Sequence, residues 1–298
     1  MRLLLTGAAG VLGGRLALLL GRRHTVVTAR RESPVPPGLE SVVLDVLDGA
    51  AVEAALESAR PEAVVHAAAL VEPDRCEREP ERARALNTLA SEALARACAR
   101  RSVKLVLIST DLVFSDANAV RDEAATPHPV SVYGRTKRDA EQAVLRASPR
   151  NAVARVSLVV GRGYGTRGTA TETLVWALHS SRPLWLYTDQ RRTPADPESV
   201  AAGCERILER DAAGVFHLCG SEHISRYALG RRVAALRGLD PGPIAATTHA
   251  ERPPAAPRPL DACLESTATR AALGWEPRPL DQAIHDSREA PDIIPAPS

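Results

Sequence analysis

The chain has 298 residues, 45% hydrophobic and 25% charged, ordinary proportions for a globular protein able to bury a core. A formal net charge of +2, from 38 basic and 36 acidic residues, gives no sign of a nucleic-acid or membrane partner. Five cysteines without a CxxC pair argue against a disulfide framework or a metal site. The N-terminal apolar run at 16–20 is too short to span a bilayer, and Met1 leads directly into a strand-like segment, so a reduced, cytoplasmic protein is expected.

Short apolar runs and helical patterns alternate through the first half. Strands are expected at 2–6, 25–29, 41–44, 63–66, 103–109 and 152–156. Helices are expected at 11–22, 50–59, 81–100 and 132–147. Such alternation predicts an α/β protein with a Rossmann-type, doubly wound parallel sheet covered on both faces. Beyond about residue 160 the pattern changes. Helices are expected at 172–180, 197–209 and 225–236, the last with Ser225 as N-cap. A short strand is expected at 184–186 and a last sheet strand near 214–219. Proline and glycine cluster from 238 to 259 and signal loops. The predicted organisation is a nucleotide-binding domain over 1–160 with that last strand, and a smaller C-terminal α/β lobe from 161–213 and 220–298.

The turn after the first strand reads TGAAGVLG, with Gly7, Gly10 and Gly13 opening a helix. A pyrophosphate needs backbone N–H donors at short range and the positive end of a helix dipole, and glycine permits that approach. Gly7, Ala9, Gly10, Val11 and Leu12 are therefore expected to bind a dinucleotide cofactor. The second strand ends in Arg30 and Arg31, with no acidic residue to bind ribose hydroxyls. Two guanidinium groups there suit a 2′-phosphate, which favours NADP(H) and leaves NAD(H) possible. Asp45 and Val46 after the third strand, and Ala67, Ala68 and Ala69 after the fourth, complete the expected cofactor contacts. His66 reads as a packed side chain.

Tyr133 and Lys137 form YxxxK, one turn apart on a single helix face. A free phenol, with a pKa of about 10, is a poor base at neutral pH, and a neighbouring ammonium is expected to lower it. Tyr133 would then exchange a proton with a carbonyl oxygen while nicotinamide exchanges hydride with the carbon. Thr110, at the end of a buried-type strand, is expected to hydrogen-bond that carbonyl.

Together these residues resemble the extended short-chain dehydrogenase/reductase superfamily, and within it the dTDP-4-dehydrorhamnose reductase group. The similarity covers nearly the whole chain: TGAAGVLG (6–13), HAAA (66–69), the stretch 71–95, ISTDLVFSD (108–116), DEAATPHPVSVYGRTKRDAE (122–141), DQRRTPADPESVA (189–201) and GVFHLCGSEHISRYAL (214–229). The resemblance implies a catalytic Thr110/Tyr133/Lys137 triad with Asn87 nearby. It also implies cofactor contacts at Gly7, Gly10, Gly13, Asp45 and the turn 66–69, and a nucleotide-linked 4-keto-6-deoxy sugar held by the C-terminal lobe. Dehydratases of the superfamily carry Thr-Asp-Glu, whereas this chain has Thr110-Asp111-Leu112, so reduction is favoured over dehydration. Asp111, Arg191 and Arg192 are the candidate substrate contacts. Leu112, the 115–117 segment and 161–173 depart from the group, which keeps open a small ketone, aldehyde or natural-product intermediate as substrate. Some relatives are non-catalytic, cofactor-binding regulatory subunits, which is a third reading. A homodimer through the helices at 81–100 and 132–147 is also an expectation of the resemblance.

Overall fold

The computed structural model describes residues 1–30, 35–117, 121–165 and 167–289. The elements of the sheet body are β1 (Arg2–Thr6), α1 (Val11–Leu20), β2 (Thr25–Arg30), β3 (Glu40–Val43), α2 (Gly49–Ala59) and β4 (Ala63–His66). They continue with α3 (Pro73–Arg78), α4 (Pro80–Ala83), a π-helical turn (Arg84–Leu89), α5 (Ala90–Arg100), β5 (Lys104–Thr110), α6 (Val132–Ala147) and β6 (Ala152–Val156). There follow α7 (Ala170–His179), β7 (Leu184–Tyr187), β8 (Arg191–Arg192), α8 (Pro197–Glu209), β9 (Gly214–His217), β10 (Ile224–Ser225), α9 (Arg226–Arg237), β11 (Ile244–Thr247), α10 (Thr267–Leu273) and α11 (Leu280–His285).

Seven strands form one parallel sheet in the order β3-β2-β1-β4-β5-β6-β9. The doubly wound fold expected from the alternating pattern is therefore present. Side chains of a strand alternate between faces. Leu3 and Leu5 accordingly pack with α1 and α8, while Leu4 packs with α2, α5 and α6. Both faces are covered, which is why the interior strands read as unbroken apolar runs.

A second core joins α7, α9, α11, β7 and β11, around Leu174, Val175, Leu186, Leu229, Val233 and Ile284. Here β7 and β11 pair in parallel. The 238–259 region, expected to be loop throughout, contains β11; its four residues are masked by the flanking prolines and glycines. The helix expected at 81–100 is present from Pro80 to Arg100, with a π turn in its course. Pro73 and Pro80 each stand in the first turn of a new helix, where the missing N–H is harmless, and residues 84–89 widen into the π turn. Residues 197–209, expected in the lobe, instead pack on α1 against the large sheet through Val200, Cys204 and Ile207. Trp275 follows them, donating its indole N–H to Ser199 O at 2.9 Å. Helix caps are local: Ser225 accepts from Ala228 N, as its position predicts, and Ser131 accepts from Gly134 N at 3.0 Å, starting α6. All five cysteines are buried and free. Among the described residues no helix is long and apolar enough to cross a membrane.

The helix α6 is tied to the sheet by a buried ion pair. Arg155 on β6 donates from Nη2 to Glu141 on α6 at 2.8 Å, both side chains being 4% exposed, and Ser109 Oγ on β5 donates to the same carboxylate at 2.5 Å. Removing one member leaves a buried charge uncompensated. Arg155→Met is expected to lower stability by about 3–5 kcal/mol. The double variant Glu141→Met/Arg155→Met should recover much of that loss, as read from urea denaturation midpoints.

Candidate active site

A cleft of about 610 Å³ opens at the C-terminal ends of β1, β4 and β5, where the strand order reverses. One end is built by the glycine turn. Gly7 has φ +77°, and a Cβ there would stand 2.6 Å from Ala67 C and Ala68 N. At Gly13 a Cβ would meet Gly7 O at 2.3 Å. The turn and the β4 segment thus approach backbone to backbone, which side chains would prevent. The N-cap of α1, Gly10, has no side chain to satisfy the first N–H groups, so they are available to an anion. Ala9, Val11 and Leu12 line this end, Asp45 and Val46 line the wall after β3, and Ala67, Ala68 and Ala69 line the wall after β4. Every cofactor contact expected in these segments therefore borders one cleft. Arg30 ends β2, but its side chain, and Arg31 as a whole, lie outside the described residues.

Behind the β4 wall runs a chain of hydrogen bonds with a defined polarity. Ser91 Oγ donates to Asn87 O at 2.6 Å, so His66 Nε2, 3.0 Å away, must be its N–H partner. His66 Nδ1 then accepts from Thr6 Oγ1 at 2.6 Å, and Thr6 Oγ1 itself accepts from Ala68 N at 3.2 Å. Burial, with the nearby Lys137 charge, pushes the His66 pKa down to about 3. The imidazole is neutral and structural, as its sequence context suggests.

At the opposite end Thr110, Tyr133 and Lys137 line the cleft together. Tyr133 is 8% exposed, and burial raises its phenol pKa; the Thr110 hydroxyl, hydrogen-bonded to it, acts in the opposite direction. This corrects the expectation that Lys137 depresses the phenol. The Lys137 ammonium donates to Ile108 O at 2.8 Å, and the counterweight to desolvation of the phenol comes from Thr110. Thr110 Oγ1 also bonds Asp111 Oδ1 at 3.1 Å and accepts from Leu112 N at 3.2 Å.

Four other expected site residues point elsewhere. Asn87 is fully buried: its Oδ1 accepts from Leu70 N at 2.7 Å, and its Nδ2 donates to Leu70 O and to Thr136 Oγ1, both at 3.0 Å. It braces the cleft wall against α6 and has no polar atom left for a substrate. Asp111 lies behind Thr110, with Oδ2 accepting from Ser157 Oγ at 2.7 Å and facing Arg192 Nε at 3.6 Å. Arg192 is buried, donating to the carbonyls of Arg191, Pro259 and Leu260, whereas Arg191 is exposed. Neither arginine, nor Asp111, borders the cleft.

Ser157 and the charged residues Glu72, Arg75, Arg82 and Arg167 do border it and were not foreseen. Ser157 follows β6, and position just past a parallel strand is the signal that could have found it. Arg167 pairs with Glu72 across the mouth, a contact between distant segments that no local pattern announces.

Lys137 is 2% exposed, and burial lowers its pKa to about 8, partly offset by Glu141. The protonated form is therefore penalised in the folded state. The penalty is complete below pH 8 and is relieved as pH rises from 8 towards the unfolded value of 10.5. Its full span is about 3 kcal/mol. Denaturation midpoints of the wild type and Lys137→Met at pH 7.0, 8.5 and 9.5 should show the wild type gaining stability relative to the variant with rising pH.

The model of the family described as "RmlD substrate binding domain" matches residues 1–290. A dTDP-4-dehydrorhamnose reductase of Streptomyces griseus is 33% identical over 287 residues, 93% of this chain and 89% of the relative. Methionine adenosyltransferase 2 subunit beta of Xenopus laevis is 32% identical over 270 residues, 85% of this chain and 79% of the relative. Among solved structures, a dTDP-4-dehydrorhamnose reductase from Bacillus anthracis in complex with NADP superposes with a TM-score of 0.84 at 21% identity, covering 95% of this chain and 97% of that one. The chain belongs to the RmlD substrate binding domain family, among the NAD(P)-dependent reductases of the extended short-chain dehydrogenase/reductase kind.

Proposed function

We propose that the protein is an NADP(H)-dependent oxidoreductase that reduces the keto group of a nucleotide-linked 4-keto-6-deoxy sugar. The observation that carries this reading is the convergence of Thr110, Tyr133 and Lys137 at one end of a cleft whose other end is the Gly7 turn. The residues fit the cofactor: a cradle that a single Cβ would fill, and a helix N-terminus bare of side-chain caps. When bound, reduced nicotinamide supplies the hydride received by the carbonyl carbon. Tyr133, protonated at neutral pH because its site is dry, gives its proton to the oxygen as that carbon is reduced. The Thr110 hydroxyl stands between Asp111 and the phenol, and its single proton serves one of the two at a time. Lys137 places a positive charge beside the cofactor site, and Asn87 keeps Leu70 and α6 in register as a positioning residue.

The Xenopus laevis relative supports a second reading, a cofactor-binding regulatory subunit. The complete triad favours the enzyme. NADPH consumption with dTDP-4-keto-6-deoxy sugars decides between them; absence of turnover, together with co-purification with a larger enzyme, would establish the subunit.

Tyr133→Phe should lower kcat by at least about 100-fold with little change in NADPH affinity measured by fluorescence titration. Loss of affinity instead would make the tyrosine structural. Arg30→Asp combined with Arg31→Ala should move the ratio of kcat/KM for NADPH over NADH towards NADH, and an unchanged ratio would remove both arginines from the 2′-phosphate site.

A further inference from the structure

Among the described residues, four cationic side chains border the cleft: Arg75, Arg82, Lys137 and Arg167. Three of them are held on their own wall. Lys137 donates to Ile108 O at 2.8 Å, and Arg75 and Arg82 share the Glu79 carboxylate one helical turn away. Arg167 differs, because its carboxylate partner is across the mouth: Arg167 stands shortly before α7, and Glu72 immediately before α3. The two side chains are 55% and 33% exposed. An ion pair so wetted contributes little to stability and is readily exchanged for a stronger partner.

The backbone on either side of Arg167 is fixed against the glycine-turn end of the cleft. Tyr164 N donates to Val11 O at 3.0 Å, and a Cβ on Gly14 would meet the Tyr164 ring. A Cβ on Gly165 would stand 3.7 Å from Ala9 O. Neighbouring positions are pinned to a fully buried carboxylate: Glu172 accepts from Gly163 N at 3.2 Å and from Thr169 N at 3.0 Å. Arg288 donates from Nε to that carboxylate at 2.6 Å and from Nη1 to Gly165 O at 3.0 Å. Arg167 is two residues past Gly165, at most about 7 Å along the chain. Its side chain therefore starts beside the end where the uncapped first turn of α1 presents N–H groups to an anion.

A dinucleotide brings a diphosphate to that end, and its two charges attract a guanidinium more strongly than one wetted carboxylate does. We propose that Arg167 exchanges Glu72 for the pyrophosphate of NADP(H), carried on a backbone that the Glu172–Arg288 pair holds beside the glycine turn. The planar guanidinium offers phosphate oxygens two parallel N–H donors from the side opposite the α1 N-terminus. Glu72 is then a competitor of the cofactor for one cation, so removing the acid and removing the arginine have opposite effects on binding. The inference rests on reading the cleft as the cofactor site; it is independent of which carbonyl is reduced.

The test is fluorescence titration of the full chain with NADPH. Arg167→Gln should raise the NADPH Kd at least about tenfold, and Arg167→Lys should recover part of that loss as a cation without the planar fork. Glu72→Gln, by releasing the guanidinium, should lower the Kd about twofold or more, and should have no effect once Arg167→Gln is present. Adenosine 2′-monophosphate, which has no pyrophosphate, should displace NADPH with the same Kd of its own in wild type and Arg167→Gln. Arg162→Gln, at an exposed position that does not border the cleft, removes the same charge and should bind NADPH as the wild type does. Thermal denaturation midpoints verify that each variant is folded. An unchanged Kd in Arg167→Gln, or an equal loss of adenosine 2′-monophosphate binding, would overturn the proposal. So would weaker binding by Glu72→Gln, the mark of a latch across the mouth, or equal tightening by Glu72→Gln with and without Arg167, the mark of direct repulsion. Absence of NADPH binding by the wild type would overturn the reading of the cleft as well.

Discussion

The candidate catalytic end depends on one buried carboxylate. Glu141 receives hydrogen bonds from Arg155 on β6 and from Ser109 on β5, so a single acidic side chain joins helix α6 to two adjacent strands. Arg155 is in turn set by His217 on β9, 3.3 Å from its Nη1, whose Nδ1 bonds Glu265 O at 2.8 Å. Lys137 and Tyr133 lie one and two turns along α6 from Glu141, and Thr110 follows Ser109 on β5. The phenol and the hydroxyl thus inherit their relative placement from an electrostatic clamp in a dry interior, where it is far stiffer than an exposed pair would be.

Much of this architecture is legible in the chain because it is written in local periodicity. Leu3-Leu4-Leu5, Ala63-Val64-Val65 and Leu105–Ile108 are apolar at every position, the mark of strands covered on both faces. Glycines spaced three apart after the first of them locate the turn, and the Tyr133/Lys137 spacing requires only that the segment be helical. What escapes is what depends on partners distant in sequence. β11 is a strand because β7, some sixty residues earlier, offers an edge. Arg192 looks like a surface charge until Asp111 and the carbonyls of Pro259 and Leu260 close around it. The direction in which the phenol's acidity is perturbed is likewise invisible in spacing: i and i+4 share a helix face, but Lys137 turns to the Ile108 carbonyl.

The family context includes both reductases and a subunit of another enzyme, and the two lobes carry different information about the choice. The sheet body supplies a nucleotide cleft that either role can use. The C-terminal lobe contributes α9 and β11, and its own core makes it a separately packed platform. The lobe can therefore vary in sequence without disturbing the packing of the large sheet.

The π-helical turn at Arg84–Leu89 gives the wall beneath the cleft an unusual sensitivity. A wide turn accommodates one residue more than a regular α-helix and so rotates everything before it relative to everything after it. Asn87 is consequently directed inward to Leu70 and Thr136 while Leu89 is left 41% exposed, and Ser91 still reaches Asn87 O on one side and His66 on the other. Loss of a single residue from this stretch would let the helix wind regularly, swing the amide out of the wall, and break the link that ties Leu70 to α6. Length at this point, more than side-chain identity along the outer face, is what a divergent copy of the chain would have to preserve.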